Sequence, residues 1–389
     1  MRPRTLATVV HVITQLELGG AQEITLLTCQ RLDREKFRVH LIHGPGGYLD
    51  AEAGALAETT VERDGNLLRA IRPASDLRCL GSLTQRLRRI RRQWRGPMIV
   101  HTHSSKAGII GRWAARFAGA DVVMHSIHGF GFNDRQPSWQ RTFFQTLERI
   151  TAPITHAFSG DSQANLEIAQ RLGLLARGQP AIALPPGIEP DQYAPREGDR
   201  VRRELGVNSS TPIVGMIACL KPQKAPLSFV RAAALLAARI PEAHFFIAGD
   251  GELRAEVQAS IIAHGLEERF HLLGWRRDVP RLLDASDVLV LTSLWEGLPR
   301  VALQAMAAAK PLVAAAVDGI PEAVVDGVTG YLLSPDDVAG FANRLERLIR
   351  QPDLRHAMGT AAHARLPDFG LDVTIRKLEA LYEDLLRNH

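Results

Sequence analysis

Short apolar runs rich in β-branched residues alternate along this chain with segments whose apolar residues recur at helical spacing. The runs predict strands at residues 8–13, 38–43, 98–103 and 122–127 in the first half, and at 213–219, 244–248, 288–292 and 311–315 in the second. The helical spacing predicts helices at 21–31, 108–118, 226–239, 251–265 and 300–309. Repeated βα units with nearly continuous apolar strands are typical of parallel sheets covered on both faces. The pattern therefore predicts an α/β fold.

The βα pattern stops and restarts around a proline-rich stretch that contains Pro185, Pro186 and Pro190. Proline at this density favours an extended connector. We therefore expect two doubly wound, Rossmann-like domains, at residues 1–190 and 191–389, that face each other across a cleft. Ligands of such sheets bind beyond the carboxyl ends of the strands, so the cleft is the expected site.

Composition adds few constraints. The chain has 389 residues, 46% hydrophobic and 23% charged, a length that favours two domains of ordinary size. No run approaches the roughly 18 apolar residues that a membrane span needs. The apolar run near the N-terminus is too short for a signal peptide and is expected to be the first strand. The three cysteines, Cys29, Cys79 and Cys219, argue for neither a disulfide framework nor a zinc site, and favour a reducing cytoplasm.

Positive charge is concentrated in the first half, where residues 1–195 contain 24 Lys and Arg against 17 Asp and Glu. Much of the excess lies in a segment whose apolar residues form a helical stripe, namely Leu80, Leu83, Leu87, Ile90 and Trp94. Arginines occupy its other face: Arg86, Arg88, Arg89, Arg91, Arg92 and Arg95. This segment is either a sheet-covering helix with a solvated face or a helix that docks on anionic lipid. Nucleic acid is not an expected partner, because no recognition motif accompanies the cluster.

Two loops that follow predicted strands carry residues suited to an anion. Gly19 and Gly20 precede a helix, where glycine lets the backbone approach a ligand closely, although a tight βα turn also uses glycine. Lys221 and Lys224 precede the helix predicted from residue 226. Lysines at this place can neutralise a diphosphate, although solvated loop lysines are also common there.

The most informative segment follows the strand predicted at 288–292 and reads Ser-Leu-Trp-Glu-Gly-Leu-Pro over residues 293–299. It places Glu296 at a strand-end turn, with Gln304 about two helical turns later and able to share a face with the first turn. A further strand-end turn carries Asp318 and Glu322.

Residues 215–321 resemble the donor domain of glycosyltransferase family 4, whose members are retaining enzymes with the GT-B fold. The first half is similar to the family's acceptor domain in the loop at Gly19-Gly20, in His101-Thr102-His103-Ser104 and in residues 126–131, Ser-Ile-His-Gly-Phe-Gly. The resemblance covers nearly the whole chain. It also implies that the last helix, at about 371–389, packs back on the N-terminal domain.

The resemblance implies three catalytic residues: Lys224 on the donor diphosphate, Glu296 on the phosphate-sugar, and His128 near the transferred sugar. The other implied donor-binding residues lie on strand-end loops or helix starts: Gly19, Gly20, Cys219, Lys221, Gly249, Gly274, Trp275, Gly297, Leu298, Arg300, Gln304 and Glu322. The implied acceptor-binding residues are His101, His103 and Ser104.

Three positions depart from the family pattern. Cys219 stands where an arginine for the diphosphate is expected, and a thiol lacks the donor fork of a guanidinium, although Lys221 or Arg300 can supply charge. Gln304 stands in place of a second glutamate, but its amide can still accept from a ribose hydroxyl. Pro299 replaces a glycine and removes one backbone N–H from the phosphate cradle.

The implied reaction uses neither a metal nor a cofactor, since the nucleotide-diphosphate sugar is itself the substrate, and the chain has no Asp-x-Asp motif. His101 and His103 alternate along a strand end and are candidate metal ligands, although a structural or substrate-contacting role fits them better. The acceptor is expected to be a glycan or a lipid-linked precursor in cell-envelope or exopolysaccharide synthesis. The expected location is the cytoplasm or the inner face of the cytoplasmic membrane.

Two other functions fit the same scaffold. A nucleotide-sugar epimerase would use it without transfer to an acceptor. A phosphorylase would bind a pyridoxal cofactor through a lysine. A catalytically silent sugar-nucleotide-binding protein would explain Cys219 and Gln304.

Overall fold

The computed structural model describes residues 6–132, 136–176, 178–194 and 197–388. Contacts divide the chain into two compact units. Unit 1 comprises Met1–Gly187 and Asp372–His389, and unit 2 comprises Ile188–Leu371. The chain first passes from unit 1 to unit 2 between Gly187 and Ile188, close to the boundary expected at residue 190.

A parallel sheet forms the centre of unit 1. Its strands are β1 Ala7–Gln15, β2 Phe37–Gly44, β3 Thr59–Arg63, β4 Met98–His103, β5 Val122–Ile127, β6 Ala157–Gly160 and β7 Ala181–Ala183. Their order is β3-β2-β1-β4-β5-β6-β7, so the winding direction reverses beside β1, as in doubly wound folds. In the register of β1 on β4, His11 lies opposite His101 and Ile13 lies opposite His103.

Helices cover both faces of this sheet. They are α1 Gly20–Arg31, α2 Asp50–Gly54, α3 Pro73–Gln93, α4 Ser105–Ala118, α5 Ser138–Thr151 and α6 Gln163–Arg171. Val10 and Val12 of β1 pack on one face beneath α3 and α4. Val9 and Ile13 pack on the other face beneath α1. Alternate β1 residues thus face opposite cores, which explains why valine and isoleucine occur on both faces of the strand.

A second parallel sheet forms the centre of unit 2. Its strands are β8 Ile213–Ile217, β9 His244–Ala248, β10 Phe270–Gly274, β11 Val288–Leu291, β12 Leu312–Ala315 and β13 Gly330–Leu333, in the order β10-β9-β8-β11-β12-β13. The helices are α7 Gly198–Glu204, α8 Pro226–Ala237, α9 Arg254–Ala263, α10 Val279–Ala285, α11 Arg300–Ala307, α12 Ile320–Ala323, α13 Val338–Arg350 and α14 Pro352–His363. This order is that of a dinucleotide-binding Rossmann sheet.

The last helix, α15 Leu371–Asn388, packs in unit 1. Leu378, Tyr382 and Leu385 enter the core beneath α1 and β1. Thr374 donates a hydrogen bond to the carbonyl of Pro185 over 3.0 Å. Among the described residues, no helix combines the length and the apolar character that crossing a membrane requires.

Several observed elements differ from those expected. The strand predicted at 213–219 ends at Ile217, because the next two residues already belong to the loop that leads to α8. The helix predicted at 251–265 begins at Arg254, because Gly251 adopts a φ of 157°, outside the helical region. The helix predicted from residue 108 begins at Ser105. The sequence pattern did not predict β3, β6, β7, β10 or β13.

Candidate active site

The loops after β8 and β11 lie side by side in unit 2, because these two strands pair where the sheet reverses its winding. Thr292 ties the loops together by donating to the carbonyls of Lys224 and Ala225 over 3.0 and 2.9 Å. The N–H of Leu294 donates to the carbonyl of Gln223 over 2.8 Å. Ligands of doubly wound sheets bind at such a reversal point.

The ammonium of Lys224 and the carboxylate of Glu296 form an ion pair between these two loops. Glu296 is only 5% exposed, and the lysine side chain is 16% exposed. Gln223 supports the pair by donating to the carbonyl of Trp295 over 2.9 Å and to the second carboxylate oxygen of Glu296 over 3.4 Å. The structure therefore brings together the two residues expected to act on the donor.

The loop after β12 supplies a third group. Asp318 accepts a hydrogen bond from the N–H of Glu296 over 2.7 Å, and Gly319 N–H donates to the carbonyl of Gly297 over 3.0 Å. Burial raises the pKa of the Asp318 carboxyl, and the nearby charge of Glu296 raises it further, against the lowering effect of the hydrogen bond. Asp318 also has a positive φ of 43°, unusual for a residue with a side chain.

Gln304 lies on α11 and is buried. Its Nε2 donates to the hydroxyl of Tyr193 over 3.0 Å, which leaves the amide oxygen as an acceptor. Glu322 lies on the short helix α12. Sequence analysis did not identify Tyr193 because it precedes the first strand of unit 2 by about twenty positions.

Two of the positions that depart from the family pattern, Cys219 and Pro299, lie on the segments that follow β8 and β11. Cys219 is a free, partly buried thiol on the loop after β8, which also carries Lys221. Arg300 is the first residue of α11, and Pro299 is its N-cap residue, following Gly297 and Leu298. Lysine and arginine side chains thus lie on both loops at the reversal point.

The loop after β9 begins at a position where only glycine fits. A Cβ on Gly249 would lie 2.0 Å from the carbonyl oxygen of Ala218, closer than any real contact, and its φ is 151°. The N–H of Gly249 donates to the carbonyl of Gly274 over 2.8 Å. Trp275 follows directly and is 39% exposed. These expected donor-binding residues therefore lie at the carboxyl edge of the unit 2 sheet.

In unit 1, Gly19 and Gly20 form the start of α1, after the short loop of residues 16–18 that follows β1. Gly19 is the N-cap residue in an extended conformation, and no side chain caps this end of the helix. Ser104 follows β4 with φ 63° and ψ 155°, a strained conformation for serine, and its hydroxyl lies 2.8 Å from that of Thr14. These residues occupy the carboxyl edge of the unit 1 sheet.

His101 and His103 lie in the last part of β4, and both side chains are buried. His101 is 1% exposed, and its ring nitrogens are hydrogen bonded to the hydroxyls of Tyr382 and Ser126. His103 is 3% exposed and is hydrogen bonded to two other imidazoles. The ring nitrogens of both histidines are thus engaged inside unit 1, whereas Ser104 follows the end of β4. Contact of these three residues with an acceptor stays a prediction.

The same hydrogen bonds bear on metal binding. His11, His101 and His103 have nitrogens within 4.8 Å of one another, a grouping of a kind that can hold a metal ion. However, Nδ1 of His11 and Nε2 of His103 share a hydrogen bond of 3.0 Å, and both nitrogens of His101 are engaged by hydroxyls. A metal would have to displace these bonds, because a ligand nitrogen needs a free lone pair.

His128 directly follows β5, and its two ring nitrogens are also engaged within unit 1. Nδ1 lies 2.9 Å from a carboxylate oxygen of Asp161, and Nε2 lies 3.0 Å from Nδ1 of His103. Asp161 lies at the end of β6, a strand that the sequence pattern did not predict, so this pairing was not expected.

The basic helix α3 covers the sheet as expected, with Leu83, Leu87 and Ile90 buried. Several of its arginines have partners within unit 1. Arg86 and Arg89 both pair with Glu62 at 2.6 Å, and Arg91 pairs with Asp121 at 2.9 Å. Arg88 donates to the carbonyl of Phe117 over 3.0 Å. Much of the arginine charge is therefore compensated within unit 1.

Two family models match this chain. The model described as glycosyl transferases group 1 matches residues 198–365, and the glycosyl transferase 4-like domain matches residues 19–187. A UDP-Gal:alpha-D-GlcNAc-diphosphoundecaprenol alpha-1,3-galactosyltransferase of Escherichia coli is 31% identical over 98% of this chain and 97% of that protein. A D-inositol 3-phosphate glycosyltransferase of Actinosynnema mirum is 28% identical over 73% of this chain and 72% of that protein.

Solved structures share the fold. Anabaena Alr3699/HepE in complex with UDP and glucose aligns with a TM-score of 0.83 at 20% identity, covering 97% of this chain and 99% of HepE. Sucrose-phosphate synthase from Thermosynechococcus elongatus aligns with a TM-score of 0.83 at 19% identity, covering 99% of this chain and all of that chain.

Two Rossmann-like sheets with a charged pair at a reversal point define an α/β enzyme scaffold of the GT-B type. The chain belongs to the group 1 glycosyltransferases of family 4. It is therefore an enzyme that transfers a glycosyl group from a nucleotide sugar. These matches give no support to an epimerase or to a silent binding protein.

Proposed function

We propose that this enzyme is a retaining, metal-independent glycosyltransferase that transfers the sugar of a UDP-sugar, UDP-galactose first among them, to a saccharide carried on a polyprenyl diphosphate. The donor and acceptor follow those in the name of the Escherichia coli relative, which is 31% identical over nearly the full length of both chains. UDP is also the ligand of the HepE structures that share the fold.

The observation that carries this proposal is the Lys224–Glu296 ion pair at the reversal point of the unit 2 sheet. When a diphosphate leaves a sugar, negative charge grows on its oxygens, and a preorganised ammonium stabilises that charge. Glu296 then orients Lys224 and binds hydroxyls of the donor, because an ionised carboxylate only accepts hydrogen bonds. Asp318 fixes the backbone of Glu296 and so the position of its carboxylate.

The cationic side chains near the pair supply the charge that a metal supplies in other transferases. Lys221 and Arg300 lie on the two loops that meet at the site, and the chain lacks an Asp-x-Asp metal motif. In the family mechanism, the bond from the anomeric carbon to the diphosphate oxygen breaks as the bond to the acceptor oxygen forms on the same face. The departing oxygen takes the acceptor proton. The protein therefore mainly positions the donor and the acceptor and stabilises the charge on the leaving diphosphate.

An acceptor on a lipid places the enzyme at an anionic membrane surface, with unit 1 as the acceptor-binding unit. Helix α5 supports this, because Trp139, Phe143 and Ile150 lie on one helical face and are 74%, 49% and 58% exposed. Helix α4 packs against both α5 and the basic helix α3. Exposed Arg92 and Arg95 have no ion pair among the described residues of unit 1, so an apolar strip lies in the same helical layer as uncompensated positive charge.

The test is a transfer assay that uses the full chain, a panel of UDP- and GDP-sugars, and N-acetylglucosaminyl diphosphate on a short polyprenyl chain. The expected result is turnover with UDP-galactose, with an unchanged rate in excess chelator and an α-linked product in the proton NMR spectrum. Transfer only from a GDP-sugar, a rate restored by manganese after chelation, or an inverted product would each contradict the proposal.

A further inference from the structure

The loop after β12 places an aspartate directly beside the Lys224–Glu296 pair of unit 2. Oδ2 of Asp318 accepts a hydrogen bond from the N–H of Glu296 over 2.7 Å, and β12 lies next to β11 in the sheet. The other oxygen, Oδ1, has no hydrogen-bond partner among the described residues, and the side chain is partly exposed. An open carboxylate oxygen therefore lies at the carboxyl edge of the sheet, where ligands of doubly wound folds bind.

Asp318 is an unfavourable residue at this position in three respects. Its φ of 43° strains any residue with a side chain, whereas glycine adopts this conformation readily. Burial raises the pKa of its carboxyl, and the nearby charge of Glu296 raises it further. No cation among the described residues forms an ion pair with it. Backbone outliers of this kind concentrate at functional sites, so the carboxylate itself points to a role in binding a ligand.

Charge is arranged in a fixed order across the three loops. The carboxylate of Glu296 pairs with the ammonium of Lys224, and the N–H of the same glutamate binds Asp318. Glu296 therefore stands between a cation and a second carboxylate. The diphosphate of a nucleotide sugar is attracted by the cation and repelled by the carboxylates, whereas sugar hydroxyls donate strong hydrogen bonds to carboxylates. This order favours a donor whose diphosphate lies toward Lys224 and whose sugar lies toward Asp318.

We propose that Asp318 is a specificity-determining residue for the donor sugar: its Oδ1 accepts a hydrogen bond from a hydroxyl of the transferred sugar, while its Oδ2 holds the backbone of Glu296. The inference rests on the proposed function, because it takes a UDP-sugar as the donor. A donor that lacks this hydroxyl leaves the carboxylate oxygen unpaired in the closed site. The enzyme therefore discriminates against such a donor.

The test is a double-mutant cycle between Asp318→Gly and the monodeoxy analogues of the donor, with the full chain. The donor is the UDP-sugar that the wild type binds most tightly, which is expected to be UDP-galactose. The wild type should lose roughly 10–100-fold in kcat/KM with the analogue that lacks the bound hydroxyl, the range for hydrogen bonds to a charged group. Asp318→Gly should lose as much with the complete donor and little more with that analogue, because both changes remove one interaction. Losses that simply add for every analogue would overturn the proposal.

Asp318→Asn separates sugar binding from the positioning of Glu296. Asparagine tolerates a positive φ, and its amide oxygen can still accept from the N–H of Glu296, so the loop should keep its conformation. An amide NH₂ then replaces the open acceptor oxygen. We expect kcat/KM for the donor to fall roughly tenfold, with an unchanged dissociation constant for UDP, which carries no sugar. Wild-type kinetics in Asp318→Asn would mean that Asp318 only positions Glu296, and would overturn the proposal.

Ala309→Gly is the matched control, because Ala309 also has a positive φ, 52°, but is exposed and follows α11, away from the loops of the site. This variant should keep wild-type kinetics. Calorimetric binding of the UDP-sugar and of UDP, without an acceptor, distinguishes the two proposals. If the wild type shows no transfer to the polyprenyl acceptor but Asp318→Asn still weakens binding of the UDP-sugar relative to UDP, the proposed function fails and the role of Asp318 stands. An equal ratio of the two dissociation constants in wild type and Asp318→Asn would overturn that role.

Discussion

The side-chain amide of Gln304 donates to the hydroxyl of Tyr193 over 3.0 Å, inside unit 2. The two residues are far apart in sequence, and both are buried. This bond orients the amide so that its oxygen stays available as an acceptor. Tyr193 therefore holds the uncharged side chain of Gln304 in place. If a glutamate stood at this position, the Tyr193 hydroxyl could donate to its carboxylate instead.

Gln304→Glu is predicted to tighten donor binding, because Tyr193 can turn its hydroxyl to the new carboxylate and hydrogen bonds to a charged acceptor are stronger. Donor KM should fall roughly fivefold, the effect of about 1 kcal/mol, with kcat nearly unchanged. Tyr193→Phe should raise donor KM. Tyr331→Phe, a buried tyrosine that stacks with Arg344 instead, is the control and should leave KM alone. A rise in KM for Gln304→Glu would contradict the assignment of this residue to the donor.

Lys224→Ala and Glu296→Gln are predicted to be the most damaging single changes in unit 2. Loss of one charged contact to the leaving group costs a few kcal/mol, so kcat should fall roughly a hundredfold or more. Steady-state kinetics with saturating donor measure this directly. Arg239→Ala, which removes a positive charge paired with Glu346 on the surface of the same unit, should change kcat little. Wild-type kinetics in both Lys224→Ala and Glu296→Gln would contradict the assignment of this pair to the donor site.

Helix α5 is predicted to carry membrane binding. Trp139→Ser combined with Phe143→Ser should weaken binding to phosphatidylglycerol vesicles at least tenfold, because each buried apolar side chain contributes about 1.5–3 kcal/mol. Changing Arg92 and Arg95 to glutamine should weaken it by roughly fivefold per residue, and only at low salt. Transfer to a soluble acceptor analogue should persist in both variants.

The control for α5 is Leu235→Ser combined with Ile262→Ser, which removes two hydrophobic residues of unit 2 that are 40% and 54% exposed. Vesicle sedimentation should show wild-type binding for this pair. Equal vesicle binding by the α5 variant, the arginine variant and the wild type would leave α3 and α5 as solvated helices.

Acid is predicted to destabilise unit 1 before most carboxylates titrate. Burial lowers the pKa of His11 to about 3 and lowers those of His101, His103 and His125 well below 6.5, so the unfolded chain binds more protons than the folded one below pH 6.5. Stability that is fully present above pH 6.5 is therefore lost as the pH falls, at up to roughly 1.4 kcal/mol per pH unit for each such histidine. Chemical unfolding at pH 7, 6 and 5 should show a falling free energy of unfolding, and a constant or rising value would contradict the neutral burial of these rings.

Most central strands could be predicted closely from the sequence, whereas the edge strands β3, β7, β10 and β13 and the four-residue central strand β6 could not. The predicted spans for β4, β5 and β9 agree with the structure, because these strands are buried on both faces and every residue is part of the signal. β3 and β7 lie at the two edges of the unit 1 sheet and have few fully buried residues. Their sequences are short and mix apolar with polar residues, so the pattern does not distinguish them from loops.

Lys224 and Glu296 were both expected at the donor diphosphate and phosphate-sugar, and the structure pairs them. They come together because each follows one of the two strands that flank the reversal point. Asp318 was noticed as a carboxylate on a strand-end turn, but its bond to the N–H of Glu296 depends on a left-handed backbone that no pattern in the sequence encodes. Asp161 was missed because β6 was missed. Contacts set by loop conformation thus escape sequence reasoning, whereas contacts set by strand order do not.

The return of α15 to unit 1 has a consequence for synthesis of the protein on the ribosome. The core beneath β1 and α1 includes Leu378, Tyr382 and Leu385, which are translated only after all of unit 2. At about 5–20 residues per second, the stretch from residue 187 to residue 371 takes roughly 10–40 s to make. Throughout that interval the N-terminal unit exposes an unfilled apolar groove, while unit 2 can fold completely. The first part of the nascent chain therefore needs protection until α15 has left the ribosome.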